Sequence, residues 1–255
     1  MGRNNQPVGE HLLLCERCGY PLEGLPAHGP EANCPECGLA IAASLPSRRK
    51  GSAWLVEPGP GALMRTAWLM VRHPVAGWDT VRVDQKRSRN LEVLMSMVAG
   101  VVGAIPLAAR PFLPIGKYLR PEDARLADLA LLSMVFFSVC MPFLTVCVLL
   151  LIALEKRGVR FVGKRRGWRI TPAIAQTVCG HATVGWIFCA VLTWAGIWLQ
   201  SVPSVLATIE RATSAAGFNA SIPHIVLPFV GFVAGMMVFE ALVYIGIRQM
   251  RFANR

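Results

Sequence analysis

The longest hydrophobic run of the chain covers residues 129–154, where 26 consecutive residues carry no charge. About 20 apolar residues are enough for a helix to cross the hydrocarbon layer of a bilayer, which is about 30 Å thick. Buried helices of soluble domains seldom need so long an uncharged run. The run therefore predicts a membrane-spanning helix, and Pro142 near its middle predicts a kink or a tilt.

Three further runs have the length and polarity of membrane spans. Thr171 is a candidate N-cap, and Pro172 suits the first position of the helix that follows. Pro203 interrupts the apolar segment 202–212, whose periodicity favours an interfacial helix, although a re-entrant or fifth spanning segment over 202–217 stays open. We predict an all-α polytopic membrane protein. Its transmembrane domain, 91–255, is a four-helix bundle with spans at about 93–113, 129–154, 172–200 and 225–247.

Residues 62–90 combine an amphipathic pattern with a run of basic residues. Five apolar side chains recur at helical spacing: Leu63, Met64, Ala67, Trp68 and Val71. This pattern predicts a short helix on the membrane surface, ended by Pro74 and followed by Trp78 at the level of the headgroups. The alternative is a helix packed on the N-terminal module. A basic collar then precedes the first span: Arg82, Lys86, Arg87 and Arg89.

The module at 10–42 contains two Cys-x-x-Cys pairs, Cys15 with Cys18 and Cys34 with Cys37, separated by fifteen residues. Each tight turn presents two thiolates to one metal ion, and the glycine after the second cysteine permits a backbone geometry that a Cβ would hinder. Some thirty residues bury too little apolar surface to fold without such a site. The spacing predicts a structural Zn²⁺ site with four thiolate ligands, and His28 is interpreted as a loop residue.

Residues 43–61 contain basic, serine, proline and glycine residues without sustained periodicity, which predicts a flexible linker. The whole chain is 54% hydrophobic and 16% charged, whereas about a quarter of an ordinary soluble domain is charged. Of its 26 lysines and arginines, twenty-one fall on the side that holds both termini in the predicted topology. The positive-inside rule therefore predicts a multi-pass inner-membrane protein with cytoplasmic termini. A reducing compartment also favours metal ligation over disulfides.

The net charge of +11 does not come from the cysteine module, where five acidic residues accompany a single arginine between 10 and 46. Such a module repels phosphate and lacks stacking aromatics, so we expect no direct nucleic-acid binding. RNA binding by the basic segment 156–169, which carries Phe161 and Trp168, is an alternative. Contact with anionic lipid headgroups explains that segment more simply. A homo-oligomer is left open.

Two ionisable residues, His181 and Glu240, fall at similar depths in the predicted third and fourth spans. A buried acid is costly in a membrane, so we predict either a contact between the two helices through this pair or a neutral, hydrogen-bonded Glu240. A catalytic or proton-relay role is the alternative. Glycines spaced along both spans, including Gly231 and Gly235, predict close helix packing. The sequence contains none of the common hydrolase or phosphate-loop motifs, and we expect no enzyme.

The knuckles resemble those of rubredoxins and zinc ribbons, with Cys-x-x-Cys-Gly-Tyr first and Cys-Pro-x-Cys-Gly second. Tyr20 is the module's only aromatic residue, whereas rubredoxins pack an aromatic core beneath iron, so zinc is favoured over iron. Residues 15–26 closely resemble the ribbon of bacterial membrane proteins of uncharacterised function. The membrane part is weakly similar to the Yip family of membrane-trafficking proteins, around Trp68, Pro74 and Trp78 and at 181–186.

These resemblances imply a non-enzymatic role in membrane organisation. We therefore expect an integral membrane adaptor or scaffold whose cytoplasmic zinc ribbon contacts an unidentified protein partner. The alternative is a small transporter or channel component with a regulatory ribbon and an intramembrane site at His181 and Glu240.

Overall fold

The computed structural model describes residues 12–23, 32–109, 126–199 and 223–254, with seven isolated positions between 202 and 215. Two 3-10 turns, Ile41–Ser44 and Pro46–Arg48, follow the cysteine knuckles. The helices of the described part are α1 (Ala53–Val56), α2 (Pro60–Arg72), α3 (Pro74–Thr80), α4 (Gln85–Ala109), α5 (Leu126–Arg165), α6 (Pro172–Ala182), α7 (Val184–Leu199) and α8 (Pro223–Met250).

Four helical stretches of the described chain are long and apolar enough to cross a membrane: α4, α5, α6 with α7, and α8. The predicted all-α architecture with four spanning helices is thus confirmed. Thr171 caps the third stretch as predicted, because its hydroxyl accepts a hydrogen bond from the Ile174 N–H at 3.3 Å. A break at Thr183 separates α6 from α7. Six of the eleven residues of the predicted interfacial helix at 202–212 are described, and five of these six are helical; residues 110–113 of the first span lie outside the described residues.

The ends of two spans differ from the expectation. Helix α4 begins at Gln85, within the basic collar, where the Asp84 carboxylate accepts a hydrogen bond from the Arg87 N–H at 2.9 Å and caps the helix. Helix α5 continues through Arg165, eleven residues beyond the predicted end of the span. Most of the basic segment after the second span is therefore helical rather than a loop. Charge ends the hydrophobic run but does not end the helix, because lysine and arginine are good helix formers.

The chain divides into two compact units. Unit 1 comprises Met1–Glu92, Ala153–Ala182 and Leu242–Arg255, and unit 2 comprises Val93–Ile152 and Thr183–Ala241. Unit 1 contains the start of α4, the end of α5, the whole of α6 and the end of α8. Each of the four spanning stretches therefore has residues in both units.

Unit 1 has a core in which Trp78, Met70, Leu55 and Val178 are fully buried. The ring of Trp78, which was expected at headgroup level, packs against Gly246 of α8, and Val178 of α6 lies beside the same glycine. Helix α2 places Ala62, Thr66 and Met70 inward. The opposite face of α2 exposes the apolar side chains of Met64 and Trp68, at 70% and 63%.

The segment 43–61 was expected to be a flexible linker, and this expectation is wrong for the residues around Arg49 and Ser52. Arg49 is 4% exposed and Ser52 is 1% exposed. The Ser52 hydroxyl caps α1 by accepting a hydrogen bond from the Leu55 N–H. The Trp54 N–H donates to the Thr66 hydroxyl at 3.0 Å, which holds α1 on α2. Side-chain contacts order a segment whose composition is typical of linkers.

Small residues bring the helices of unit 2 into backbone contact, as the spacing of the glycines predicts. A Cβ added at Gly231 would collide with the carbonyl group of Leu192, and one added at Gly235 would collide with the backbone of Cys189. Gly185 meets the backbone of Phe239 in the same way. Helices α7 and α8 therefore approach along a seam on which only small residues fit.

Replacing Gly235 with alanine should destabilise the protein, because the new methyl group must displace the backbone of α7. Such overpacking costs about 1–3 kcal/mol, so the thermal midpoint in detergent should fall by about 5 °C. Gly158→Ala is the matched control, since a Cβ at Gly158 in α5 would meet nothing within 4 Å. The control should leave the midpoint unchanged or raise it slightly. Equal midpoints for both variants would show that the seam is not tightly packed.

Candidate metal centre

The two cysteine knuckles have the same backbone geometry, nineteen residues apart. In the first, the Gly19 N–H donates to the Cys15 carbonyl at 2.8 Å and the Cys15 N–H donates to the Tyr20 carbonyl at 2.8 Å. The corresponding bonds of the second knuckle join Gly38 to Cys34 and Cys34 to Leu39. Gly19 and Gly38 have φ angles of 80° and 72°, the left-handed region that only glycine enters readily. The glycine that follows each pair is thus required by the turn, as predicted.

The knuckles bring the four predicted ligands together, with all four Sγ atoms within 4.8 Å of one another. The Sγ atoms of Cys15 and Cys37 are 3.5 Å apart, and those of Cys18 and Cys34 are 3.6 Å apart. Disulfide-bonded sulfurs lie about 2.05 Å apart, so neither of these cysteine pairs is joined by a disulfide bond. A tetrahedral site with Zn–S bonds of about 2.3 Å has sulfurs about 3.8 Å apart. The donor set therefore fits one tetrahedral metal ion.

The thiols of the cluster differ in acidity. Burial is the main cause that raises the pKa of Cys18 to about 12. Burial also acts to raise the pKa of Cys34, but hydrogen bonds from the backbone N–H groups of Cys37 and Glu36 and from the thiols of Cys18 and Cys15 together lower the pKa to about 7. Cys34 is thus the more acidic thiol of this pair, and a bound metal ion would favour the thiolate form of all four cysteines.

Little apolar surface supports the cluster. Cys15, Leu22 and Cys34 are its buried residues, and partly buried side chains such as Leu13, Tyr20 and Ile41 pack against them. So small a core supplies little stability by burial alone. The module must therefore gain its stability from a bound metal ion, from contacts with the rest of unit 1, or from both.

The side chain of Asn254 holds the first knuckle against the C-terminal tail of unit 1. Its Oδ1 accepts a hydrogen bond from the Leu14 N–H at 3.0 Å, and its Nδ2 donates to the Leu14 carbonyl at 2.7 Å. The same Nδ2 donates to the Ser44 carbonyl at 2.7 Å. Asn254 is only 5% exposed. Its amide therefore pairs with Leu14 as a neighbouring strand would, beside the predicted ligand Cys15.

Three arginine and aromatic contacts complete the docking of the first knuckle. The Arg169 guanidinium donates to the carbonyls of Leu12 and Ala253 and to Asn254 Oδ1. Arg251 donates to the Arg17 carbonyl at 2.6 Å. The ring of Phe252 covers Gly19 so closely that a Cβ there would lie 2.7 Å from it. The first knuckle is thus attached to the chain's own C-terminal tail.

Arg49 joins the cysteine module to two helices of unit 1. Its guanidinium forms an ion pair with Glu16 at 2.8 Å, and Glu16 lies between the first two ligands. It also donates to the carbonyls of Trp78 at 2.8 Å and Gln249 at 3.1 Å. The side chains of Arg49 and Glu16 are 2% and 6% exposed. Arg49 is therefore a buried structural residue that links the first knuckle to α3 and α8. The sequence pattern did not indicate this role.

The structure places His181 inside unit 1 and engages both of its ring nitrogens. Nε2 lies 2.9 Å from the Ser52 hydroxyl, and Nδ1 lies 2.9 Å from the Thr177 carbonyl. The His181 ring also packs against Trp78, with 5.9 Å between centroids. His181 thus finds its hydrogen-bond partners within its own unit. Glu240 belongs to unit 2 and is exposed there, and its predicted contact with His181 stays a prediction.

A second buried polar group of unit 1 was missed by sequence reasoning. The Lys156 ammonium lies 2.9 Å from the Glu92 carboxylate and 3.1 Å from Gln176 Oε1. The Gln176 amide also donates to Glu92 at 2.6 Å, so the carboxylate is fully paired. Glu92 follows the basic collar and Lys156 begins the basic segment. The signal that could have found them is the acid that directly precedes the first predicted span, since an acid at that position needs a partner.

The chain matches no protein-family model, no curated protein and no solved structure. The resemblance of the knuckles to zinc ribbons is supported by the four-cysteine cluster itself. The similarity of the membrane part to the Yip family is not confirmed.

Proposed function

We propose that the four cysteines bind one structural Zn²⁺ ion. Support comes from the donor set, since four thiolates at tetrahedral spacing are typical of closed zinc sites. A closed four-thiolate site leaves no open coordination position for a substrate or a water molecule. The ion would supply folding stability to the small module, and Cys15, Cys18, Cys34 and Cys37 would hold it. Iron is the less favoured occupant.

The protein acts, on this proposal, as a non-enzymatic membrane adaptor, and the second knuckle is its contact surface. One observation carries this assignment. The first knuckle is covered by the C-terminal tail, whereas Asn33, Pro35, Glu36 and Gly38 of the second knuckle are exposed. Glu36 and a zinc ion bound by four thiolates, with a net charge of −2, make this surface acidic. A partner with a basic surface would complement it.

The position of the module fits attachment at the inner face of the cell membrane. The exposed Met64 and Trp68 side chains of α2 are suited to insertion among lipid headgroups, and the basic residues at the end of α5 favour anionic lipids. The topology with both termini in the cytoplasm follows from the distribution of basic residues. The metal-binding thiols would then remain reduced.

Two observations favour the adaptor over the transporter and the enzyme. A cavity of about 210 Å³ in unit 2 is lined mainly by apolar side chains, including Leu144, Val148 and Phe232, which offer little to a polar solute. The Ser52–His181 pair has a spacing suited to a nucleophile and a base, but Ser52 is 1% exposed and its hydroxyl caps α1. The cap and the burial give this pair a structural role.

Charge reversal at Glu36 tests the adaptor. A partner bound to the acidic second knuckle should be cross-linked to the wild-type protein in membranes, and its yield should fall at least fivefold in Glu36→Arg because the two surfaces then repel. Glu57→Arg is the matched control, since Glu57 is an exposed acid outside the module. The control should keep the partner, and both variants should keep their metal content.

Two results would contradict the adaptor. One is an unchanged set of cross-linked proteins in Glu36→Arg with its metal retained. The other is solute flux into liposomes containing the purified protein that is lost in Glu240→Gln or His181→Gln, since this would favour the transporter.

A further inference from the structure

A cavity of about 400 Å³ opens in unit 1 between the second 3-10 turn and the segment that follows α3. Three cationic residues line it, Arg49, Lys50 and Arg82, together with Ser47. Pro46, Val83 and Asn254 complete the lining, which contains no acidic residue. The cavity is distinct from the cysteine cluster, and neither the spans nor the knuckles account for its charge.

The cations of this cavity are not equally available to a ligand. The guanidinium of Arg49 is already paired with Glu16 and backbone carbonyls, and the Asn254 amide is held by Leu14 and Ser44. Lys50 and Arg82 are exposed, and within the described ranges no acidic group forms an ion pair with either. Arg82 donates one of its five N–H groups to the Leu55 carbonyl at 3.3 Å, which leaves the other N–H groups for a ligand.

Two uncompensated positive charges on one concave wall repel each other, and a bound anion removes that repulsion. Phosphate is the biological anion that suits a guanidinium, an ammonium and a hydroxyl together, because its oxygens accept several charge-assisted hydrogen bonds. The volume lies at the lower end of the range of about 300–1,000 Å³ for small-molecule sites. It exceeds what one inorganic phosphate needs, which leaves room for a small polar group esterified to it.

We propose that this cavity is a binding site for the phosphate group of an anionic phosphoester, held by Lys50, Arg82 and Ser47 beside the fixed charge of Arg49. A phospholipid headgroup and a soluble phosphate compound share this chemistry. The proposal does not depend on the adaptor function, since it involves neither the second knuckle nor a protein partner.

The test uses the full-length, metal-loaded protein purified in a neutral detergent. Three probes are titrated while the thermal midpoint and the binding isotherm are followed: short-chain phosphatidylglycerol, short-chain phosphatidylcholine and inorganic phosphate. We expect saturable binding of the anionic lipid, and at least tenfold weaker binding by Lys50→Gln/Arg82→Gln. Phosphatidylcholine, whose headgroup carries no net charge, should bind at least tenfold more weakly than phosphatidylglycerol.

Lys86→Gln/Arg89→Gln is the matched control, because it removes the same two charges from exposed residues outside the cavity. This control should change the affinity less than twofold. An equal loss in both double variants would overturn the proposal, since the attraction would then be general to the basic surface. The proposal would also be overturned if neither phosphatidylglycerol nor inorganic phosphate bound saturably to the wild type.

The probes distinguish the source of the phosphate. Tight binding of the lipid with weak binding of inorganic phosphate assigns the site to a membrane phospholipid. Saturable binding of inorganic phosphate alone, lost in the cavity variant, assigns it to a soluble phosphate compound. The midpoint of each ligand-free variant verifies its folding, and Arg82→Lys, which keeps the charge, should retain most of the affinity if Arg82 acts as a cation.

Discussion

Substitution of one ligand from each knuckle should abolish stoichiometric zinc binding. In Cys15→Ala/Cys34→Ala the remaining two thiols cannot complete a tetrahedral site, so the zinc content should fall from about one ion per chain to less than a tenth. Structural zinc contributes about 10–16 kcal/mol in comparable small modules. The small core around Leu22 cannot replace this stabilisation. The N-terminal region should therefore become sensitive to protease while the spanning helices stay protected.

Cys140→Ala/Cys147→Ala is the control for metal analysis, because these two cysteines lie in α5, outside the metal cluster. It should keep its zinc. Iron in place of zinc in the purified wild type would correct the identity of the ion but leave the ligands unchanged. Full zinc content in the ligand variant would contradict the site itself.

Replacement of Arg49 by methionine should be the most destabilising single change outside the ligands. The substitution leaves the Glu16 carboxylate, 6% exposed, without its closest cation, and it leaves the carbonyls of Trp78 and Gln249 without their donor. Removing one partner of a buried pair costs about 3–5 kcal/mol, which corresponds to a thermal midpoint lower by about 10 °C. Thermal unfolding in detergent measures this change.

Arg48→Met is a close control, since Arg48 contacts the same Glu16 at 3.8 Å with a side chain that is 43% exposed. An exposed pair of this kind contributes less than about 1 kcal/mol. Arg49→Lys should recover only part of the stability, because an ammonium group cannot reach carboxylate and carbonyls together. Equal midpoints for Arg48→Met and Arg49→Met would contradict the role of Arg49 as a buried structural residue.

The features that the sequence predicts well depend on local patterns. Uncharged length alone identifies the four spanning helices, and the spacing of the cysteines with Gly19 and Gly38 identifies both knuckles. The close approach at Gly235 also follows from a local spacing of small residues. In each case the deciding information lies within about one helix or one turn.

Other features were not predictable because they depend on residues far apart in the chain. Nothing in the run from Arg48 to Lys50 tells which arginine is buried, since the partners of Arg49 lie 33 residues before it and 200 residues after it. The composition of this segment is that of a linker, and its tertiary contacts override that composition. The same holds for Lys156. In the sequence it belongs to a basic segment, but in the structure it pairs with Glu92, which is 64 positions away.

The bond between Leu14 and Asn254 joins residues 240 positions apart, and this separation sets an order of events during synthesis. At about 5–20 residues per second, the tail emerges roughly 10–50 s after the first knuckle. The cysteines are therefore synthesised well before their docking surface exists, and on the proposed metal site they would bind their ion as an undocked module. Helix α8 must therefore be made before the first knuckle can dock on the residues that follow this helix.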